Sequence, residues 1–177
     1  ILAASVNGGQ NLEGEVHVVF GSKAPFGTVD LANLDGTEGV KILGAASGNL
    51  TGVALSDAGD VNGDGFADFI IAARFADTYA SNAGEAYILF GKSDGFVPID
   101  LASLDASDGI AVFGEQAGGQ TGFSVSSAGD FNSDGFADVV ISSSLSSEVA
   151  SGAGTVTVIF GKASGFVDLR IANLDSS

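Results

Sequence analysis

Two nine-residue stretches decide how this chain reads: Asp60-Val61-Asn62-Gly63-Asp64-Gly65-Phe66-Ala67-Asp68 and Asp130-Phe131-Asn132-Ser133-Asp134-Gly135-Phe136-Ala137-Asp138. Both follow the pattern D-x-N-x-D-G-x-x-D. Oxygen side chains on alternating positions, a glycine that lets the backbone turn sharply and a closing carboxylate suit a hard cation that takes about six to eight oxygens. Calcium is the first candidate. The expected donors are the side chains of Asp60, Asn62, Asp64 and Asp68, with the carbonyl of Phe66 at the seventh position and water completing the shell. In the second copy they are Asp130, Asn132, Asp134 and Asp138 with the carbonyl of Phe136. The two Phe side chains are then free to pack.

An EF-hand opens in a similar way but closes on a bidentate Glu at its twelfth position, where this chain has Ile71 and Ile141. The EF-hand reading fails. Phe69-Ile70-Ile71 and Val139-Val140-Ile141 are short, β-prone apolar runs, so each loop leads straight into a strand. A metal-free Asx turn is the competing account, because Asn, Asp and Gly favour turns for local reasons. Recurrence at identical spacing favours the cation, since carboxylates clustered in one tight turn repel each other unless neutralised.

The chain has 177 residues, 45% of them apolar, which is enough for one domain with a core. Twenty-seven glycines and two prolines point to many short strands joined by turns, an all-β class. A net charge of −16 with only six Lys and Arg argues against nucleic acid and anionic lipid as partners. There is no cysteine, hence no disulfide; calcium could supply the cross-links instead. Loops this exposed suit the weak calcium affinities of extracellular modules, so an extracellular location is expected. No apolar stretch is long enough for a membrane span and no signal peptide opens the sequence. Methionine is absent, so a processed chain or a piece of a longer one is expected.

Internal repetition fixes the architecture. Asp60 and Asp130 are 70 residues apart, as are Gly14, Gly84 and Gly154, each opening a run that ends in Phe-Gly. The same offset relates Leu31, Leu101 and Ile171, which begin Leu-Ala-Asn-Leu-Asp, Leu-Ala-Ser-Leu-Asp and Ile-Ala-Asn-Leu-Asp. The chain is thus about two and a half repeats: a partial one over 1–38, a full one over 39–108, and another over 109–177 with a linker toward a further repeat. Within a repeat the predicted strands are 39–44, 52–56, 69–73 and 85–90, then 109–114, 122–126, 139–143 and 155–160, with a short turn around 101–105. Four antiparallel strands per repeat is the content of a β-propeller blade or of a propeller-like array. Ile1 aligns with Ile71 and Ile141, which starts the chain inside a third strand and leaves strand edges at both ends to be covered by further repeats or another subunit.

These landmarks resemble the FG-GAP repeats of the integrin α-subunit β-propeller and of many large bacterial surface or secreted proteins. The resemblance is carried by Ala58-Gly59-Asp60 to Asp68, Ala128-Gly129-Asp130 to Asp138, the apolar strand after each and the later Phe-Gly. It implies calcium on a blade edge at Asp60, Asn62, Asp64, Asp68 and their counterparts. Gly52-Val53 and Gly122-Phe123 occupy the first name-giving place, while Ala72-Ala73-Arg74 and Ser142-Ser143-Ser144 stand where Gly-Ala-Pro is usual.

No catalytic constellation emerges. His17, the only histidine, reads as a solvent-facing strand residue without a titrating partner. Glu13, Glu15, Glu85, Glu115 and Glu148 read as solvated strand-edge charge, Ser142 to Ser151 as a polar loop face, and Asn49-Leu50-Thr51 as a formal glycosylation sequon. Phe20, Phe90 and Phe160 recur at one spacing and read as core between neighbouring blades. The expected function is a non-enzymatic, extracellular structural or adhesive module. Its expected partners are calcium and either other proteins or further copies of itself, joined end to end into a filament or ring. The alternative is a propeller domain of a larger secreted protein or enzyme that binds protein or carbohydrate.

Overall fold

Short apolar runs punctuated by Gly- and Asp-rich turns become twelve strands in the computed structural model, which describes residues 2–6, 12–22, 27–93, 95–147 and 150–174. They are β1 (Leu2–Val6), β2 (Glu15–Val19), β3 (Gly39–Leu43), β4 (Ala54–Gly59), β5 (Asp68–Ala73), β6 (Glu85–Leu89), β7 (Ile99–Asp100), β8 (Gly109–Phe113), β9 (Thr121–Gly129), β10 (Asp138–Ser143), β11 (Thr155–Ile159) and β12 (Leu169–Arg170). Single 3-10 turns follow at Leu31–Asn33, Leu101–Ser103 and Ile171–Asn173, where the repeated Leu-Ala-Asn-type segment stands.

The strands form a first sheet in the order β1-β2-β3-β7, a central sheet β12-β8-β6-β5-β4 and a third sheet β11-β10-β9. The all-β reading holds. The phase of the repeat does not match the cut at residue 39, because β3 pairs antiparallel with β2 and not with β4. Likewise β8, the first strand of the next sequence unit, pairs with β6. Each of these two sheets therefore takes two strands from the following unit, β3 and β7 in the first and β8 and β12 in the central one. The pairing is also not purely antiparallel: β7 and β12 add two-residue parallel edges to β3 and β8. Ile1, expected within a third strand, lies outside the described residues.

Period-two alternation explains why the central sheet is buried on both faces. Phe69, Ile71, Tyr87 and Leu89 pack against Val16, Val18, Val40 and Ile42 of the first sheet. From the opposite face Ile70, Ile88, Ile110 and Val112 pack against Val125, Val139, Ile141 and Ile159 of the third. All six residues of β5 and all five of β6 are buried.

Candidate metal centre: the twin acidic loops

Each acidic loop joins two antiparallel strands, β4 to β5 in one copy and β9 to β10 in the other. Asp60 is the hub of the first. Its Oδ1 accepts hydrogen bonds from the backbone N–H groups of Gly63 (2.7 Å) and Asp64 (3.1 Å), and its Oδ2 from Gly65 (2.9 Å). Asn62 Oδ1 accepts from the Asp64 N–H (2.9 Å) while its Nδ2 donates to Asp64 Oδ2 (3.0 Å). Asp64 Oδ1 accepts from the Phe66 N–H (2.8 Å). So tight a coil needs left-handed backbone at Gly63 and Gly65, with φ of 72° and 89°.

The second loop repeats this pattern. Asp130 accepts from Asp134 (2.9 Å) and Gly135 (3.0 Å), Asn132 accepts from Asp134 (3.1 Å) and donates to its carboxylate (2.8 Å), and Asp134 accepts from Phe136 (3.0 Å). Ser133 takes the left-handed place of Gly63 at φ 62°.

The ninth-position carboxylates have a role that the loop pattern alone hides. Asp68 is fully buried, and its two oxygens accept from the N–H groups of Val61 and Gly91, each at 2.8 Å. Asp138 holds Phe131 (2.7 Å) and Gly161 (2.9 Å) in the same way. Each therefore ties the start of its loop to the turn that ends the next strand pair. The recurrence of Phe-Gly at constant distance from the closing Asp was the available signal. Burial pushes the Asp68 carboxyl up to about 6; the two amide bonds oppose that rise, and the charges of Asp64 and Asp60 add to it.

The two loops also touch. Asp60 and Val61 carbonyls accept from the N–H groups of Ala137 (3.0 Å) and Lys162 (2.9 Å), and a Cβ added to Gly63 would stand 2.5 Å from the Phe136 ring. Phe136 thus packs across the boundary between the loops, whereas Phe66 is exposed.

In kind, the donors fit a hard divalent cation: the loop presents only carboxylate, amide and carbonyl oxygens, with no nitrogen or sulfur ligand. In their present arrangement these oxygens are engaged by backbone amides. Among the described residues no three His, Cys, Asp or Glu side chains converge on a common metal position.

A sequence model of the FG-GAP repeat matches residues 54–89 and 121–159. The chain carries two FG-GAP repeats. Each match spans three consecutive antiparallel strands, β4-β5-β6 and β9-β10-β11, with the acidic loop between the first two. No curated protein matches the chain. FG-GAP repeats occur in extracellular or surface proteins, build propeller-type ligand-binding or adhesion modules and are generally non-catalytic. Among the described residues no helix is long and apolar enough to cross a membrane.

Several residues lie elsewhere than expected. His17 is buried at 3% exposure, 2.9 Å from the Glu15 carboxylate, and does not face solvent. Glu85 is not a solvated edge charge but is 1% exposed at the start of β6. Glu115 pairs with Arg170, and Glu148 lies outside the described residues. Asn49 and Thr51 of the sequon are both buried, which removes the amide from the reach of a glycosylating enzyme in the folded chain. Ser142 and Ser143 belong to β10, and Ser143 and Ser146 are buried, so the serine run is only partly a loop face. Phe90 is buried with its ring tilted against Phe166, and Phe20 is half-buried against Phe96. Phe160 departs from the pattern at 49% exposure.

Proposed function

We propose that the chain is a non-enzymatic, calcium-binding module whose FG-GAP repeats stack as blades of a propeller or propeller-like array, serving as an extracellular structural or adhesive element. One observation carries this reading: two acidic loops 70 residues apart reproduce each other's side-chain geometry nearly bond for bond, and each leans on the other. Asp60, Asn62, Asp64, the Phe66 carbonyl and Asp68 would hold the ion in one loop, and Asp130, Asn132, Asp134, the Phe136 carbonyl and Asp138 in the other. Bound calcium supplies positive charge where several carboxylates otherwise repel. The chain's own part is to pre-form the coil: Asp60 and Asp130 organise the backbone, while Asp68 and Asp138 anchor it to the sheets. On this reading the partners are calcium and protein chains, or further copies of this one, that take the open edge of β11, where Val156 and Phe160 are exposed.

Thermal unfolding with excess calcium and with chelator tests the proposal. Calcium that binds the folded chain raises the midpoint by mass action, and the rise grows with free calcium. Replacing Asp60 and Asp130 together by Asn should abolish that rise. Coincident melts in calcium and chelator would remove the metal from the account.

A further inference from the structure

Glu85 is 1% exposed, and the donors around it are all neutral. Its Oε1 accepts from the Tyr87 hydroxyl (2.5 Å) and Asn49 Nδ2 (3.3 Å), and its Oε2 from Thr78 Oγ1 (2.9 Å). Among the described residues no Lys, Arg or His forms an ion pair with it. Buried carboxylates ordinarily have a counter-charge, because hydrogen bonds alone recover only part of the lost hydration.

The preceding repeat shows where that counter-charge sits. Glu15 stands 70 residues before Glu85, and the strand registers match: His17 faces Lys41 across β2 and β3 as Tyr87 faces Ala111 across β6 and β8. Glu15 has Lys41 Nζ at 2.7 Å and His17 Nε2 at 2.9 Å. The second repeat keeps the carboxylate and loses both nitrogen partners, His17 becoming Tyr87 and Lys41 becoming Ala111. The shortened side chain borders a cavity of about 390 Å³ lined by Glu85, Tyr87, Ala111, Leu101, Phe113 and Asp168, among others. Asp168 is fixed on its wall, with Oδ1 accepting from the Ala111 N–H at 2.9 Å. Burial first, and then the nearby charges of Glu85 and Asp168, raise the Tyr87 hydroxyl far above its ordinary range, so it remains a proton donor to Glu85.

We propose that this cleft binds an alkylammonium group, whose charge meets Glu85 and Asp168 and whose stem lies against Leu101 and Phe113, in the role that Lys41 performs within the first repeat. A lysine side chain of a partner protein and a free aliphatic amine share this chemistry. The inference stands apart from calcium, so the test is run on the full chain at one fixed calcium concentration.

Isotope-labelled protein is titrated with n-butylammonium chloride, with N-acetyl-lysine methylamide and with the neutral n-butanol, following the Tyr87 and Ala111 amide signals. Saturable shifts with the two cations and none with butanol are expected, the tighter cation identifying the source. Glu85→Gln should weaken binding at least about tenfold, since it removes the charge and keeps the shape. Ala111→Lys, which restores the first repeat's lysine, should raise the melting temperature and abolish binding of both cations; it decides the matter if Glu85→Gln does not fold. Equal response to butanol, no saturable shift, or undiminished cation binding in Ala111→Lys would overturn the proposal.

Discussion

Asp64 and Asp68 are four residues apart in one loop, yet their environments oppose each other. Asp64 is exposed and accepts one backbone amide, while Asp68 is buried and satisfies two. Removing the buried carboxylate orphans the N–H groups of Val61 and Gly91, so Asp68→Ala should cost on the order of 3 kcal/mol. Asp64→Ala, at the surface, should cost less than about 1 kcal/mol. Urea midpoints in chelator, where loss of metal cannot contribute, measure both; equal costs would refute the anchoring role of Asp68. The same variant carries a pH signature. The folded carboxyl titrates at about 6, above its ordinary 3.8, because burial penalises the charge. A group raised on folding contributes stability that is fully present below its unfolded pKa and is lost as pH rises through the folded one. The stability gap between wild type and Asp68→Ala should therefore narrow from about pH 4 to about pH 7 in chelator.

Among the elements, those with apolar alternation were legible. The strands expected at 69–73, 85–90, 109–114 and 139–143 are found at Asp68–Ala73, Glu85–Leu89, Gly109–Phe113 and Asp138–Ser143. Those expected at 52–56 and 122–126 are found at Ala54–Gly59 and Thr121–Gly129, because the Ser-Asp-Ala-Gly and Ser-Ser-Ala-Gly tails have no apolar period to mark their ends. Sheet membership was not legible either: alternation tells which face a side chain takes and says nothing of which strand lies alongside. The burial of Glu85 depends on Asn49, 36 residues away, and no local pattern carries that. Contact between the acidic loops is similarly non-local, and it can be measured. Gly63→Ala places a methyl group at φ 72° and against the Phe136 ring. The backbone share of the cost, about 1 kcal/mol, is independent of the ring. The steric share is not, so a cycle with Phe136→Ala should show a coupling of about 1 kcal/mol. Additive costs would mean that the ring swings aside and that Phe136 carries no link between the loops, leaving the backbone bond from Ala137 to Asp60 to join them.

For the molecule as a whole, the central sheet decides how the chain unfolds. Ile70 and Ile71 are adjacent and fully buried, and they serve different cores: Ile71 meets the first sheet and Ile70 the third. In a stacked array each layer contributes its own stability plus that of its interfaces, and neighbours unfold together when the interfaces dominate. Here the interfaces are extensive relative to the layers, since no residue of β5 or β6 has a solvent-facing alternative. Ile70→Ala and Ile71→Ala should each cost about 2–5 kcal/mol, as buried large-to-small changes do. If the sheets are thermodynamically coupled, both variants shift one transition, with backbone circular dichroism and the near-ultraviolet signal of buried Tyr87 melting together. If they are not, Ile71→Ala loosens only the first interface: the Tyr87 signal is lost at lower temperature while the third sheet persists. The second outcome would make the array a string of separable layers, held in line by the strands each sheet takes from the following repeat and by the bonds between the acidic loops more than by packing between the first and central sheets.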